Sequence, residues 1–323
     1  MGLCALDGWN SDLYLYQIET KRRKQRLIFP FPHFMSIHSE FAKLEQVFIK
    51  SVSAAFESQD QLDQQWEALN YLGRPEYEKA RKEYEAFEAL LKKGGAEIKY
   101  FGSNDSVSID SIYCRDASIM TDHGVILCQM GKGQRVPEPA ACEMEYTAQG
   151  IPILGRIEAP GCIEGGDVAW LDTKTLAVAH GYRSNDAGFA QLKTLLNPYG
   201  VEVMQVDLPH YKGASDVFHL MSIFSPVDAD KAVVYSPLIP VRFREELLRR
   251  KYQLIEVPEE EFESMGCNVL AIAPSLCMMV KGNPVTKSRL EAAGCEVWAY
   301  EGQEISVKGG GGPTCLTRPS KRS

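Results

Sequence analysis

Hydrophobic and polar positions along the 323-residue chain alternate in a pattern that returns about every fifty residues. Short apolar runs that read as strands lie at 96–101, 151–154, 201–204, 252–255 and 295–298. A stretch with helical spacing precedes each of them. The clearest places Tyr77, Ala80, Tyr84, Phe87 and Leu91 on one face, with Pro75 near its start and Gly94-Gly95 at its end; this spacing predicts an amphipathic helix. Hairpin patterns lie between these units. Apolar runs at 118–120 and 125–127 flank Asp122-His123-Gly124, and similar pairs occur at 168–171 with 176–178, 223–224 with 232–235, and 269–272 with 277–280. Turn residues between apolar runs mark hairpins.

One supersecondary unit repeated at this period predicts a radial array or a solenoid. The final unit decides between them. Its hairpin would begin after Cys315, where few residues follow, and the apolar segment 44–49 is the candidate for the missing strand. Terminal segments that complete one unit together are how propellers close. The expected fold is therefore α/β, a five-bladed pseudo-symmetric propeller of β-β-α-β units. It would form a single catalytic domain over 40–323, after an N-terminal extension over 1–39.

The polar residues that head the hairpins share one structural address. Asp116, Asp167, His219, Asn268 and Cys315 follow one another at intervals of 51, 52, 49 and 47 residues. In a propeller such positions converge near the axis. An acid, the Glu164-Gly165-Gly166-Asp167 turn, a histidine and a cysteine at equivalent places suit cysteine–histidine–carboxylate chemistry, whereas stability alone requires no such set. Plainer readings exist for each: Cys315 as a buried thiol, His219 as a core histidine, Asp167 as a cap of backbone amides, and Asp116 as the ion-pair partner of Arg115. Cys315 is set apart by the four glycines at 309–312, since such runs mark close approach of the backbone to a ligand or another chain.

Composition narrows the class. Apolar residues make up 45% and charged residues 24%, and the net charge is −8. That balance argues against nucleic acid as a partner, which would need a basic face, and no apolar run is long enough for a membrane span. The nine cysteines are dispersed with no Cys-x-x-Cys pair, so neither a zinc ribbon nor a dithiol motif is indicated. Several lie in apolar stretches, and a reducing, cytoplasmic setting is expected. The basic run 21–24 reads as part of a solvated extension, not a secretory leader.

The strings Tyr113-Cys114-Arg115-Asp116, Ile163-Glu164-Gly165-Gly166-Asp167-Val168, Gly181-Tyr182-Arg183-Ser184-Asn185, Phe218-His219-Leu220 and Gly310-Gly311-Gly312-Pro313-Thr314-Cys315 resemble the guanidine-modifying, or pentein, superfamily. It includes arginine deiminases, dimethylarginine dimethylaminohydrolases and amidinotransferases. The resemblance implies a five-bladed α/β propeller with Cys315 as nucleophile, His219 as general acid and base, and Glu164 orienting the histidine. It also implies Asp116 on the substrate guanidinium and Arg183 on the substrate carboxylate, with Arg135 and Arg318 as alternatives for the latter. Deiminases generally carry an acid two residues after the histidine; Met221 stands there. Asp110, six residues before Asp116, matches the dimethylarginine hydrolase arrangement, while Arg115-Asp116 and the glycine-rich lead to Cys315 look deiminase-like.

The resemblance thus implies a hydrolase of dimethylarginine or arginine giving citrulline through an S-alkylthiouronium. An amidinotransferase is the alternative, and a non-catalytic scaffold a third reading. The expected partner is a small guanidino substrate. No metal or organic cofactor is needed, and a homodimer is left open. The segment 51–71 reads as a mobile lid or, equally, as a helix.

Overall fold

The computed structural model describes residues 36–213 and 218–323. Most of the expected N-terminal extension, including the basic run, lies outside the described residues. From residue 36 onward the chain builds five three-stranded sheets with the same internal plan. In each, the first two strands pair antiparallel and the third pairs parallel to the second.

Strands Ser118–Thr121, Gly124–Leu127 and Ile153–Arg156 form one such sheet, and Val168–Asp172, Thr175–His180 and Glu202–Asp207 the next. Phe224–Asp228, Lys231–Val234 and Gln253–Glu256 follow, then Leu270–Ala273, Leu276–Val280 and Glu296–Tyr300. The remaining sheet joins the two ends of the described chain. Its central strand Leu44–Ile49 pairs antiparallel with Arg318–Arg322 and parallel with Glu97–Tyr100. The segment 44–49 therefore supplies the strand that the last unit lacks.

A parallel pair needs a crossover, and helices provide it here. Tyr77–Lys93, Glu138–Ala148, Asp186–Leu196, Val241–Arg249 and Pro284–Ala292 each connect the second strand of a sheet to the third. The first buries Ala80, Tyr84, Phe87 and Leu91, the face expected from spacing; each large apolar side chain removed from water there contributes about 1.5–3 kcal/mol. Third strands begin one or two residues later than the apolar runs suggest, because the first residues of each run belong to the turn that leaves the helix. Glycine punctuates the hairpins where space demands it. Gly124 has φ 123°, and a Cβ there would come within 2.5 Å of the Pro152 carbonyl oxygen.

Segment 51–71 takes the helical alternative. Helices Val52–Ala55 and Gln59–Gln65 are capped by Ser51 and Ser58, and Val52, Phe56, Leu62 and Leu69 are buried. Ser and Asn side chains at such caps satisfy free N–H groups of the first turn. Among the described residues no helix is long and apolar enough to cross a membrane.

Candidate active site

Each residue of the repeating address stands just ahead of the first strand of a sheet. Asp116 precedes Ser118–Thr121, Asp167 precedes Val168–Asp172, Asn268 precedes Leu270–Ala273 and Cys315 precedes Arg318–Arg322. His219 is one step removed, since the short helix Leu220–Ile223 separates it from Phe224–Asp228; its backbone N–H donates to Ser222 Oγ at 3.2 Å, fixing the helix start.

Cys315 is 8% exposed. Asn268 Nδ2 donates to its Sγ at 3.3 Å, and Thr314 Oγ1 lies 3.8 Å away. Asn268 is itself fixed, because its Oδ1 accepts from Thr314 N at 3.0 Å and Thr314 Oγ1 at 2.8 Å. The glycine run before Cys315 is explained by its own chain. A Cβ at Gly311 would meet the Tyr113 ring at 2.4 Å, and one at Gly312 would meet Asn268 at 2.5 Å. Burial pushes the Cys315 thiol up and Asp116 adds to this, while Asn268, Thr314 and Arg115 pull the other way without cancelling it. Burial thus favours the protonated thiol, and positive charge close to the sulfur would favour the thiolate.

His219 Nε2 is 2.7 Å from Glu164 Oε2, and Nδ1 is 3.9 Å from Asp116 Oδ1. Gly166 makes this approach possible, as a Cβ there would lie 2.6 Å from Asp116 Oδ1 and 2.7 Å from His219 Nδ1. Burial disfavours the imidazolium, but Asp116, Asp167 and Glu164 outweigh it and raise the histidine to about 9. Glu164 is fully buried and accepts from Gly131 N at 2.9 Å, Lys132 N at 3.1 Å and Arg183 Nη1 at 3.1 Å. Burial opposes its ionised form, yet His219 and Arg183 hold it well below the usual carboxylate range. Asp167 accepts from Ser184 Oγ at 2.7 Å and Leu220 N at 3.2 Å, tying the histidine segment to the next turn. Burial lifts it to about 6.

Both acids expected to hold a guanidinium carry cations of the chain itself. Arg135 Nη1 donates to Asp116 Oδ2 at 2.5 Å, while its other nitrogens reach Glu138 and the Tyr113 carbonyl. Asp116 Oδ1 is buried with no hydrogen-bond partner among the described residues. Lys132 Nζ donates to Asp110 Oδ2 at 2.7 Å and to the Leu69 carbonyl at 2.9 Å. Arg115 does not pair with Asp116; it meets Glu40 at 2.7 Å. Arg183 pairs with Glu164 and also lines a cavity of about 400 Å³ together with Lys132, Phe218, Asn268, Gly309 and Gly310. Arg318 lies buried and donates to the Arg115 carbonyl, away from this cavity.

Sequence reasoning thus left Asn268, Lys132 and Glu138 without a role and offered Arg135 only as an alternative for the substrate carboxylate, whereas Arg135 pairs with Asp116 and Glu138. Asn268 stood at the repeating address, a signal that could have assigned it. Lys132 and Arg135 sit in a loop whose course no periodicity reveals. Asp116, Glu164 and His219 place one ligand atom each within 4.8 Å of one another, a spacing a divalent ion could bridge. Arg135 and Arg183 already neutralise both carboxylates, so the donor set suits a cation network better than a metal.

The structure thus brings together a buried thiol, an imidazole held between carboxylates and a carboxylate oxygen without a partner among the described residues. Over residues 52–322 the chain matches the family model described as N,N dimethylarginine dimethylhydrolase, eukaryotic, and it belongs to that family. It is 24% identical over 252 residues to N(G),N(G)-dimethylarginine dimethylaminohydrolase of Pseudomonas aeruginosa, covering 77% of this chain and 91% of that one. It is 28% identical over 247 residues to the arginine deiminase of Mycobacterium marinum, covering 65% of this chain and 60% of the other. A solved dimethylarginine dimethylaminohydrolase from Pseudomonas aeruginosa, a cysteine-to-serine mutant complexed with citrulline, superposes with a TM-score of 0.68 at 21% identity. That match covers 85% of this chain and 98% of the solved one, and it supports the mixed α/β pentein fold.

Proposed function

We propose that this protein hydrolyses the guanidino group of dimethylarginine or arginine to a ureido product such as citrulline, with Cys315 as nucleophile. The observation that carries the reading is the state of Asp116. Arg135 holds one oxygen, and the other is buried, unpartnered and beside His219. An acceptor placed there suits the N–H of a guanidinium, which carboxylates bind through charge-assisted hydrogen bonds. The five sheets would stand round one axis as the blades of a propeller formed by residues 40–323, with the site at one end.

The arriving cation stabilises the thiolate electrostatically, so substrate binding is coupled to release of the Cys315 proton to solvent. The thiolate adds to the guanidinium carbon. His219, protonated at neutral pH, gives its proton to the departing amine, leaving an S-alkylthiouronium on Cys315. The now neutral imidazole takes a proton from water, the resulting hydroxide adds to the same carbon, and the C–S bond breaks to release the thiolate and the ureido product, whose hydroxyl proton passes to the freed amine or to solvent. Glu164 keeps the ring in place and stabilises each imidazolium state. Asp110 and Arg183 would complete substrate binding, Asp110 by exchanging Lys132 for the guanidinium and Arg183 by facing the cavity.

A ureido assay over arginine, monomethylarginine, dimethylarginine and agmatine tests this, with the released amine identified as ammonia or a methylamine. Turnover of at least one arginine-type substrate without an added amine is expected. Product formed only when glycine or another amine is supplied would replace hydrolysis by amidino transfer.

A further inference from the structure

Behind the candidate catalytic groups, among the described residues, three arginines gather round one carboxylate, with Arg115 N donating to the Cys315 carbonyl at 3.2 Å. Arg115, Arg318 and Arg322 are 1%, 4% and 0% exposed, and Glu40 is 7% exposed. Arg115 Nη2 donates to Glu40 Oε2 at 2.7 Å, and Glu40 Oε1 accepts from Trp170 N at 3.3 Å. Arg318 Nη2 donates to the Arg115 carbonyl, and Arg322 Nη1 donates to the carbonyls of Ala42 and Ala271. Among the described residues five guanidinium nitrogens have no partner: Arg115 Nε and Nη1, Arg318 Nε, and Arg322 Nε and Nη2.

The charges do not balance. Burial pushes the Glu40 carboxyl up, but Arg115, Arg322 and Arg318 together bring it below its usual range, so it is ionised. Burial lowers Arg318, and Arg115 lowers it further. Arg322 is pushed down to about 10 by burial, with Glu40 opposing and Arg115 adding, so it remains a cation at neutral pH. Three buried guanidinium groups against one carboxylate leave an excess of positive charge in a region shielded from water. Buried ionised groups need both hydrogen bonds and opposite charge to be tolerated. Water can accept from the five N–H groups, but it brings no charge. Two of the three arginines meet only neutral carbonyl oxygens, so the missing component is an acceptor that carries negative charge.

We infer that Arg115, Arg318 and Arg322 form, beside Glu40, a binding site for a small inorganic monovalent anion of the halide kind. The donors are N–H groups without a fixed acceptor pattern, which suits a spherical ion more than a carboxylate that needs a planar bidentate partner. The proposal is independent of what the catalytic site acts upon.

Bromide is the probe. Crystals of the full chain grown in sodium bromide should show anomalous scattering at the three guanidinium groups. Melting in rising bromide, exchanged for gluconate at constant ionic strength, should rise and saturate. Glu40→Gln removes the competing negative charge and should tighten the apparent bromide affinity about tenfold, equivalent to ~1.4 kcal/mol. Arg318→Met should weaken it by a similar factor. Only water, or a carboxylate of the chain itself, at the cluster would overturn the proposal. So would a bromide response that is the same in wild type and Arg318→Met. The crystal result decides the matter if either variant fails to fold.

Discussion

Arg135 binds Asp116 through one carboxylate oxygen at 2.5 Å and leaves the other unpartnered beside His219. The arginine thereby sets the direction of the acid without consuming it, and its fork also ties down Glu138 and the Tyr113 carbonyl. Arg135→Met should lower kcat/KM at least about 100-fold, and breaking a buried pair this way costs about 3–5 kcal/mol of stability. Arg135→Lys keeps the charge but not the fork. It should recover most of the melting temperature while kcat/KM stays at least about tenfold down. Kinetics and melting measured together check this; full activity in both variants would deny Arg135 a positioning role.

Lys132 stands where a substrate cation would be welcome, on Asp110. If it must be exchanged for the substrate, Lys132→Met should lower KM several-fold and tighten inhibition by free guanidinium ion, with kcat little changed. A higher KM for arginine-type substrates, with agmatine unaffected, would show instead that Lys132 meets the substrate carboxylate.

Asn268 is the only side-chain amide bonded to Cys315 among the described residues. Its N–H favours the thiolate, so Asn268→Ala should raise the Cys315 thiol further. Alkylation by iodoacetamide at neutral pH should slow about tenfold, on the scale of one lost hydrogen bond to a charged group, ~1.5 kcal/mol. The pH profile of alkylation in the two proteins reads this directly.

The acids around His219 raise it from an ordinary 6.5 to about 9. A raised value means that the folded state binds the proton more tightly than the unfolded chain does. The associated stabilisation, on the order of 3 kcal/mol, is complete below about pH 6.5 and is lost as pH rises through about 9. Nuclear magnetic resonance of the imidazole should show it protonated at neutral pH and titrating near 9. In Glu164→Gln the midpoint should move down, since two of the raising influences come from Glu164.

The repeat was legible because each sheet needs the same three strands and one crossover helix, and period and turn residues record that need. The pairing of 44–49 with the final strand could be read from a deficit in the last unit. Asp116, His219 and Cys315 were singled out because equivalent positions in a repeat share an address, and the structure sets each of them ahead of the first strand of a sheet. The partners of those residues were less legible. Lys132 and Arg135 reach Asp110 and Asp116 through a loop between a strand and a helix, and nothing in their spacing says which way they point. Arg183, expected on a substrate carboxylate, lines the cavity and also pairs with Glu164, a contact that its spacing in the sequence did not reveal. The four glycines signalled close approach correctly, but the neighbours are Tyr113 and Asn268 of the same chain.

The central claim is that Cys315 carries the reaction, and ureido product formation by Cys315→Ser tests it most directly. The side chain is small and buried, so the serine variant should fold and melt close to wild type. The account predicts a loss of at least about 10⁴-fold in turnover, the scale on which removal of a nucleophile acts. Turnover within about tenfold of wild type, in a variant shown by mass spectrometry to be free of wild-type protein, would contradict it.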